Sequence, residues 1–313
     1  MVNDAVIVAR GLTKRFDDVV AVDGIDIEIM KGECFGFLGP NGAGKTSTMK
    51  MIYCASPKTS GSLTVMGMDV DAHPREIKGN IGVVQQENNL DPDFTLMENL
   101  TIFSRYFGIP PEEAKKRAEK LIDFMQLQKK KDTNIEELSG GMKRRLMVAR
   151  SLINDPKMLI LDEPTTGLDP QAKHLIWSQL RSLMEEGITI ILTTHYMEEA
   201  AQLCDRLVIM NEGKILVKGS PAELVEEHGG GSEVLEIAAE RSVMKKIAEY
   251  LKDGHRGGKV SIEDVGERLY IYAEGCHELE KDLASRFEIR ERLFRMTNLE
   301  DVFLKLTGRG LRE

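Results

Sequence analysis

The sequence contains no apolar run long enough to cross a membrane, and its few cysteines match no metal-binding or disulfide pattern. No stretch of its 313 residues reaches the ~18 apolar residues of a transmembrane helix, and the first residues lack the apolar core of a signal peptide. The four cysteines show no metal-ligand or disulfide-framework spacing, which indicates reduced thiols in a cytosolic chain. We therefore expect a protein without a membrane span of its own.

The chain also lacks an excess of basic residues. Its 42 Lys and Arg are outnumbered by 51 Asp and Glu, for a formal net charge of -9. Proteins that bind nucleic acids present concentrated Lys and Arg to the phosphate backbone, so this balance argues against a nucleic-acid partner. The length is about twice that of a ~150-residue domain and predicts one large or two unequal domains.

A glycine-rich pattern follows an apolar segment early in the chain. Residues 39–46 read GPNGAGKT and match G-x-x-x-x-G-K-[ST] directly after the apolar residues 34–38. The glycines let backbone N–H groups turn toward an anion, Lys45 supplies a positive charge, and Thr46 supplies an oxygen for Mg²⁺. The pattern predicts a nucleotide phosphate site in a strand-to-helix turn.

Two further motifs suit phosphate chemistry. Residues 138–142 read LSGGM, and this Gly-Gly turn opens a predicted helix whose N-terminus suits an anion. Residues 158–163 read MLILDE, an apolar strand that ends in two carboxylates. Because the carboxyl ends of parallel strands line the ligand edge of a sheet, Asp162 suits a place beside Mg²⁺ and Glu163 suits a base that polarises water.

The periodicity of the first part predicts an α/β fold. Ile25, Ile27 and Ile29 alternate with acidic residues, as in a half-buried strand of an antiparallel layer. Helical spacing from Thr95 onward predicts an inserted helical subdomain over about residues 87–150.

Three consecutive glycines at residues 229–231 predict a linker between two domains, residues 1–228 and 232–313. The second domain has the predicted order β-α-β-β-α-β, typical of a ferredoxin-like α+β domain. Residues 297–300 read TNLE and fit a capping box that opens a final helix. Since no phosphate-binding motif lies in the second domain, we expect it to regulate or stabilise assembly.

Together the motifs resemble the ATP-binding subunit of ABC transporters. The phosphate loop, the Ser-Gly-Gly signature and the Asp-Glu strand occur in the family's order, followed by Gly167-Leu168-Asp169 and His195. The resemblance covers residues 4–225. It implies a P-loop NTPase core with a mixed sheet and an antiparallel layer, ATP and Mg²⁺ as cofactors, and ATP hydrolysis as the activity.

The resemblance also implies which residues act on the phosphate. Glu163 is expected to polarise the attacking water, and Lys45, Gln86 and His195 are expected around the γ-phosphate. Gln85 is the alternative to its neighbour Gln86. Three residues are expected around Mg²⁺: Thr46, Gln86 and Asp162.

The remaining nucleotide contacts implied by the resemblance come from three sources. These are an aromatic ring on adenine, the phosphate loop, and the signature and Asp169 region of a second copy: Phe16, Gly39, Asn41, Gly42, Ala43, Gly44, Ser47, Ser139, Gly140, Gly141 and Asp169. Two copies are thus expected to sandwich ATP head to tail, at the cytoplasmic side of the cell membrane, and to power a separate transmembrane permease.

Three segments narrow the resemblance. Residues 82–92 (GVVQQENNLDP), 95–100 (TLMENL) and 299–308 (LEDVFLKLTG) are similar to the ATPases of the daunorubicin-resistance and nodulation-factor export group. This implies an exporter of drugs, lipids or polysaccharides. An importer ATPase with a C-terminal regulatory domain and a soluble ABC ATPase outside transport stay open as alternatives.

Overall fold

The computed structural model describes residues 4–252 and 260–307. The chain divides into two compact units, residues 1–218 and 219–313. This division lies before the glycine linker predicted at residues 229–231, which falls inside the second unit. The reason is the helix Pro221–His228, because it packs within the second unit against the helix Leu299–Thr307.

Two β-sheets and the helices around them form the described part of the first unit. In chain order its elements are β1 (Ala5–Phe16), β2 (Val19–Met30), β3 (Cys34–Leu38), α1 (Lys45–Ile52), β4 (Ser60–Val65), β5 (Met68–Asp69), α2 (Pro74–Gly79), β6 (Ile81–Val84), α3 (Leu96–Phe103), α4 (Pro111–Phe124), α5 (Gly140–Ser151), β7 (Met158–Asp162), α6 (Pro170–Glu185), β8 (Thr189–Thr194), α7 (Met197–Leu203), β9 (Arg206–Asn211) and β10 (Lys214–Gly219).

One sheet is antiparallel and has the strand order β2-β1-β4-β5. In β2, Ile25, Ile27 and Ile29 are buried and Asp26 is exposed, which confirms the predicted alternation. β1 pairs with β2 in a register that sets Ile7 opposite Ile29. The apolar faces of both strands therefore contribute to one core.

The other sheet has the order β10-β9-β3-β8-β7-β6, and its strands from β9 to β6 are parallel. β3, β7 and β8 are almost entirely buried, as expected for strands that are covered on both faces. The register sets Leu38 beside Thr194 and Asp162 beside Thr193. The carboxyl ends of these strands therefore meet at one edge, where ligands bind in open α/β sheets.

Helices α3, α4 and α5 lie within the segment for which a helical subdomain is predicted. α3 begins with a capping box, in which Thr95 Oγ1 accepts from the Glu98 amide and the Glu98 carboxylate accepts from the Thr95 amide. α4 buries a narrow stripe that contains Ala114 and Ala118. Because α5 packs against α3, α4 and β6, the subdomain is joined to the central sheet.

The second unit contains a four-stranded sheet with helices. Its elements are α8 (Pro221–His228), β11 (Glu233–Ala238), α9 (Arg241–Lys252), β12 (Ser261–Val265), β13 (Arg268–Ala273), α10 (Cys276–Arg286), β14 (Glu291–Met296) and α11 (Leu299–Thr307). The strand order is β12-β13-β11-β14, and neighbouring strands are antiparallel. This order confirms the predicted ferredoxin-like arrangement.

The two faces of the second unit's sheet differ in chemistry. One face packs apolar residues such as Leu235 and Ile271 together with Ile247 of α9 and Leu283 of α10. Residues that alternate with these along the strands, such as Tyr272 beside Ile271, point to the opposite face. That face carries the charged residues Glu236 and Arg295 beside buried apolar groups such as Val234 and Phe303.

A buried ionic cluster on this face surrounds Asp301 of α11, which is fully buried. Asp301 accepts hydrogen bonds from the Tyr272 hydroxyl at 3.2 Å and from two nitrogens of Arg295 at 2.6 and 2.8 Å. Arg295 Nε donates to Glu236 at 2.6 Å. The hydrogen bonds to Asp301 raise the pKa of Arg295, and burial raises the pKa of Tyr272.

The same carboxylate caps α11. The Asn298 N–H donates to Asp301 Oδ2 at 2.8 Å, and Asn298 Oδ1 accepts from the Asp301 N–H at 3.3 Å. The capping pair is therefore Asn298 with Asp301, one residue later than the pair predicted from residues 297–300. Asp301, and not Glu300, accepts from the N-cap residue because the Asp301 carboxylate is also fixed by Arg295.

We expect Asp301→Asn to destabilise the second unit by about 1.5–3 kcal/mol, because it replaces one of the two carboxylates that bond Arg295 with a neutral amide. Urea unfolding followed by hydrogen exchange in β13 and α11 measures this loss. Glu291→Gln is the control: it removes the exposed ion pair with Arg268 and is expected to cost at most about 1 kcal/mol. Equal stability of the two variants would contradict the prediction.

Candidate functional site

The phosphate loop joins β3 to α1 and is shaped by two close backbone approaches. A Cβ on Gly39 would lie 2.4 Å from the carbonyl oxygen of Met210, and a Cβ on Gly44 would lie 2.4 Å from that of Ala21. Gly44 has φ +100 and Gly42 has φ +80, where a side chain is strained. The fold of the loop therefore requires glycine at these positions.

Lys45 is the first residue of α1 and is only 5% exposed. Its Nζ donates to the carbonyl oxygens of Gly39 at 2.6 Å and Pro40 at 3.0 Å, so the ammonium group lies inside the loop. Burial lowers the pKa of Lys45, while the charges of Glu163 and Asp162 act in the opposite direction. The loop thus holds a cation where an anion would bind.

Asp162 ends β7 and accepts hydrogen bonds from two hydroxyl groups. Thr46 Oγ1 lies 3.1 Å from Asp162 Oδ2, and the Thr193 hydroxyl of β8 donates to Asp162 Oδ1. The second bond follows from the parallel register, which makes Asp162 and Thr193 neighbours across the two strands. A hydroxyl beside a carboxylate offers the oxygen ligands that Mg²⁺ prefers.

Glu163 follows directly and has an uncommon backbone conformation. Its φ is +49, a region that few residues other than glycine occupy, and its N–H donates to the Thr193 carbonyl at 3.1 Å. Glu163 Oε2 accepts from Gln86 Nε2 and Thr166 Oγ1, both at 3.1 Å. His195 Nδ1 lies 3.2 Å from Glu163 Oε1. The turn therefore brings both carboxylate oxygens into contact with polar groups.

His195 approaches Glu163 closely but without hydrogen-bond alignment. Its Nδ1 is buried and has no hydrogen-bond partner among the residues that the structure describes. The ring contacts that of Tyr196 at an interplanar angle of 38°, with 4.2 Å between the ring centroids, and Lys173 Nζ lies 4.1 Å from the Tyr196 centroid. A buried imidazole nitrogen held in this way fits a polar group that a ligand brings to the site.

Of the two adjacent glutamines after β6, Gln86 is the one that reaches Glu163. The Gln85 side chain instead accepts from Asn89 Nδ2 at 3.3 Å. The geometry therefore places the side chain of Gln86, and not that of Gln85, beside Glu163.

Phe16 and the other residues of the phosphate loop are the remaining nucleotide contacts expected from this chain's own half of the site. Phe16 ends β1, is 48% exposed, and has Lys14 Nζ 4.6 Å from its ring centroid. Its open ring face is available to a planar group. The other loop residues differ in exposure: Asn41 and Gly42 are exposed, Ala43 is buried, and Ser47 is half-buried.

The signature residues lie at the start of α5. Ser139 caps the helix, and both Ser139 and Gly140 are exposed, so the helix N-terminus faces solvent. Asp169 caps α6 by accepting from the Ala172 N–H at 2.9 Å. A Cβ on Gly141 would lie 3.2 Å from the Cβ of Ala172, so the starts of α5 and α6 are adjacent.

Arg144 of α5 is buried and was not among the site residues expected from the sequence. Its guanidinium donates to five backbone carbonyl oxygens in two segments, those of Gln85 at 2.6 Å, Gln86 at 3.2 Å, Asp162 at 2.7 Å, Glu163 at 2.5 Å and Pro164 at 2.8 Å. Burial lowers the pKa of Arg144. The available signal was a charged residue within the apolar stripe that continues through Met147 and Val148.

Two hydroxyl groups in the site were also missed. Thr166 donates to Glu163 and Thr193 donates to Asp162. Thr193 carried a signal, because it is a polar residue at the end of a buried strand and lies two positions before His195. Thr166 lies in a turn, where its contact depends on the backbone conformation of Glu163.

The donor set fits Mg²⁺ bound together with a nucleotide phosphate. Thr46 and Asp162 supply one or two oxygens, and Mg²⁺ in such sites takes its other ligands from phosphate groups and water. Within residues 4–252 and 260–307, no group of three His, Cys, Asp or Glu could hold a metal ion. We therefore expect Mg²⁺ to bind with the nucleotide rather than alone.

Comparison with known proteins shows the family to which this chain is similar. Residues 22–166 match the family model described as ABC transporter, and residues 248–308 match that of the C-terminal domain of nodulation factor export protein NodI. The Nod factor export ATP-binding protein I of Ralstonia nicotianae is 45% identical over 97% of this chain and 94% of its own length. That of Burkholderia pseudomallei is 47% identical over 95% of each chain.

Solved structures similar to this chain also belong to ABC transporters. The chain is similar to cbiO1 from Clostridium perfringens, part of the ABC transporter complex cbiONQ, with TM-score 0.67, 28% identity and coverage of 80% of this chain and 97% of that one. A dimeric ATP-binding cassette in a post-hydrolysis state, bound to ADP and Pi, has TM-score 0.63, 25% identity and coverage of 68% and 98%.

The helices in the described part of the chain are all too short or too polar to cross a membrane. The matches extend over nearly the whole length of this chain and of its relatives. They confirm the resemblance that the motifs indicated. The chain therefore belongs to the ABC transporter family, in the group of the Nod factor export ATP-binding proteins I.

Proposed function

We propose that this chain hydrolyses ATP and so powers a separate membrane subunit that exports a drug, lipid or polysaccharide. The observation that carries the proposal is the Glu163 carboxylate, which lies 3.1 to 3.2 Å from polar atoms of Gln86, Thr166 and His195. A base, an oxygen pair for a metal and a cation for phosphate thus converge at one sheet edge. The relatives named for Nod factor export favour export over import.

In this proposal each residue has a separate task. Lys45 and the N–H groups of the loop bind the phosphates, while Thr46 and Asp162 hold the metal. Mg²⁺ held by these two residues would supply positive charge against the negative charge that develops on the phosphate. Glu163 accepts a hydrogen bond from the attacking water and polarises it. This bond replaces the one that Glu163 now accepts from Gln86 or from Thr166.

A second copy of the chain completes the site. The exposed N-terminus at Ser139 and Gly140 suits an anion brought from outside the chain, because its N–H groups face solvent. The dimeric neighbour bound to ADP and Pi supports a two-copy arrangement. We infer that the signature of one copy contacts the phosphate held by the Lys45 of the other, and that Asp169 joins the two sites.

A groove that Gln85 lines suits the membrane subunit. A cavity of ≈ 260 Å³ lies between the end of β6 and the helical subdomain, and its lining includes Gln85, Phe103, Phe107 and Arg150. Because Arg144 binds the carbonyl of Gln86, a partner in this groove would act on the site through the backbone. We infer a peripheral position at the cytoplasmic side of the cell membrane.

We expect Glu163→Gln to lower ATP turnover by about 10²–10⁴-fold, the range of a lost general base, while ATP affinity changes little. The amide keeps the shape of the carboxylate but does not accept a proton. Phosphate release and nucleotide titration measure the two effects. The control is Glu198→Gln, an exposed carboxylate of α7, which is expected to keep wild-type turnover. Near-normal turnover in Glu163→Gln would contradict the assigned base.

A mixing experiment tests the composite site. Lys45→Ala and Ser139→Arg are each expected to be inactive alone, whereas their mixture contains dimers with one site in which both components are intact. Turnover should therefore rise on mixing. Lys45→Ala mixed with the double variant Lys45→Ala, Ser139→Arg is the control, since no intact site forms. Equal activity in the two mixtures would count against sites shared between copies.

Arg144→Lys is expected to lower kcat by about tenfold to a hundredfold, because one ammonium group cannot hold five carbonyl oxygens and Glu163 shifts by a fraction of an ångström. KM should change much less, since the phosphate loop is untouched. The matched control is Arg145→Lys on the same helix, which bonds the Met125 carbonyl far from the carboxylates. A parallel fall in both variants would show a general loss of helix stability instead.

A further inference from the structure

β14 forms one edge of the second unit's sheet and exposes apolar side chains. Leu293, Phe294 and Met296 are 50%, 41% and 62% exposed, so apolar groups reach solvent on both faces of the strand. Adjacent residues of a strand point to opposite faces, which makes this exposure a property of the edge rather than of one face. The strand therefore offers both backbone and apolar side chains to a partner.

The usual protection of an edge strand is weak here. Such strands are commonly blocked by Pro, by a bulge or by free charges. β14 contains no Pro, and its register with β11 runs without a shift from Glu291 to Met296. Its charged side chains are paired within the chain, as in the bonds from Arg292 to Glu280 and from Arg295 to Asp301.

The backbone of β14 has a defined outer side. The Thr297 N–H donates to the Ser232 carbonyl at 3.1 Å, and backbone groups alternate sides along an antiparallel ladder. Residues in step with Thr297, such as Arg295 and Leu293, therefore bond toward β11. The groups that point outward belong to the alternate residues Arg292, Phe294 and Met296, of which the Met296 carbonyl already accepts from Arg295 at 3.1 Å.

We propose that β14 pairs antiparallel with β14 of a second copy of this chain, around a two-fold axis at Leu293. In this register the outward groups of Arg292 meet those of Phe294 in the second copy, and the reverse pair forms by symmetry. Leu293 lies opposite itself and Glu291 lies opposite Arg295. The two four-stranded sheets thereby become one continuous sheet of eight strands.

The side chains favour this register over its neighbour. Pairing centred on Phe294 also matches outward groups, but it sets Leu293 opposite Arg295 and creates no pair of opposite charges. Pairing centred on Leu293 lays the Arg292 guanidinium across from a Phe294 ring, which is an attractive pair. It also brings the exposed Glu291 near Arg295, a weaker attraction because Arg295 is already bonded to Asp301 and Glu236. Charge and cation–π complementarity therefore select the axis at Leu293.

The contact uses none of the phosphate-binding residues, so it does not rest on the proposed function and forms without nucleotide. Six residues of strand pairing make a small interface, of the size that holds transient complexes. A dimer that also closes on ATP would gain from it, since the second unit keeps the two copies at high effective concentration.

Sedimentation of the full chain with EDTA and no nucleotide tests the contact. We expect a reversible monomer–dimer equilibrium at about 10–100 µM, typical of a small interface. Leu293→Glu sets like charges on the axis and is expected to raise the dimer Kd by at least about tenfold. Leu216→Glu changes an exposed leucine of the first unit and is expected to leave Kd unchanged. A wild type that stays monomeric, or equal effects of both variants, overturns the proposal.

Disulfide trapping tests the register. Leu293→Cys sets two thiols opposite each other in a pair without backbone hydrogen bonds, where Cβ atoms lie closest, and Phe294→Cys is the matched control one residue from the axis. In a Cys54→Ser background, we expect thiol-reversible dimers to form at least about tenfold faster from Leu293→Cys. Faster trapping of Phe294→Cys, or dimers that require ATP, overturns the proposal. Neither result would bear on ATP turnover, which has its own test in Glu163→Gln.

Discussion

The guanidinium of Arg144 joins the three segments on which the candidate site depends. A buried cation loses its hydration, so its donors must be satisfied by the protein. Here the acceptors are backbone carbonyl oxygens after β6 and after β7, which are joined to the signature helix α5 through one side chain. Because one rigid planar group binds both turns, Gln86 and Glu163 keep their separation only while α5 stays in place.

This constraint also explains how Glu163 holds its unusual backbone. A residue other than glycine with φ near +50 is strained by about 1–3 kcal/mol and persists only where its surroundings fix it. Arg144 binds the Glu163 carbonyl, and Thr193 binds its N–H. The turn is thereby held on both sides of the strained residue, and the carboxylate is directed toward Gln86 and His195.

Much of the first unit can be predicted from the sequence because its signals are local. The alternation in β2, the glycines of the phosphate loop and the capping box of α3 each lie within about ten residues of sequence, where period and turn chemistry apply. The strand ends also locate Asp162, Glu163 and His195 at one sheet edge. The choice between Gln85 and Gln86 needed the structure, because adjacent residues share every sequence signal and differ only in direction.

The unpredicted parts depend on contacts between distant residues. The glycines at residues 229–231 indicate a domain boundary by composition, yet the packing of α8 against α11 sets the boundary earlier. The Asn298 and Asp301 cap replaces the predicted one because Arg295 and Tyr272 hold Asp301. A sequence pattern does not identify such partners, because the residue type of a charged side chain does not specify which distant residue it contacts.

The buried ionic cluster has a further effect on the edge of the second unit. Arg295 lies on β14 and binds Asp301 of α11 and Glu236 of β11, so the strand is fixed to a helix and to its neighbouring strand. A strand held in this way loses little conformational entropy when its free side pairs with another strand. Folding of the second unit therefore already orders the edge strand, and the exposed Leu293 and Phe294 are positioned for contact before a partner binds.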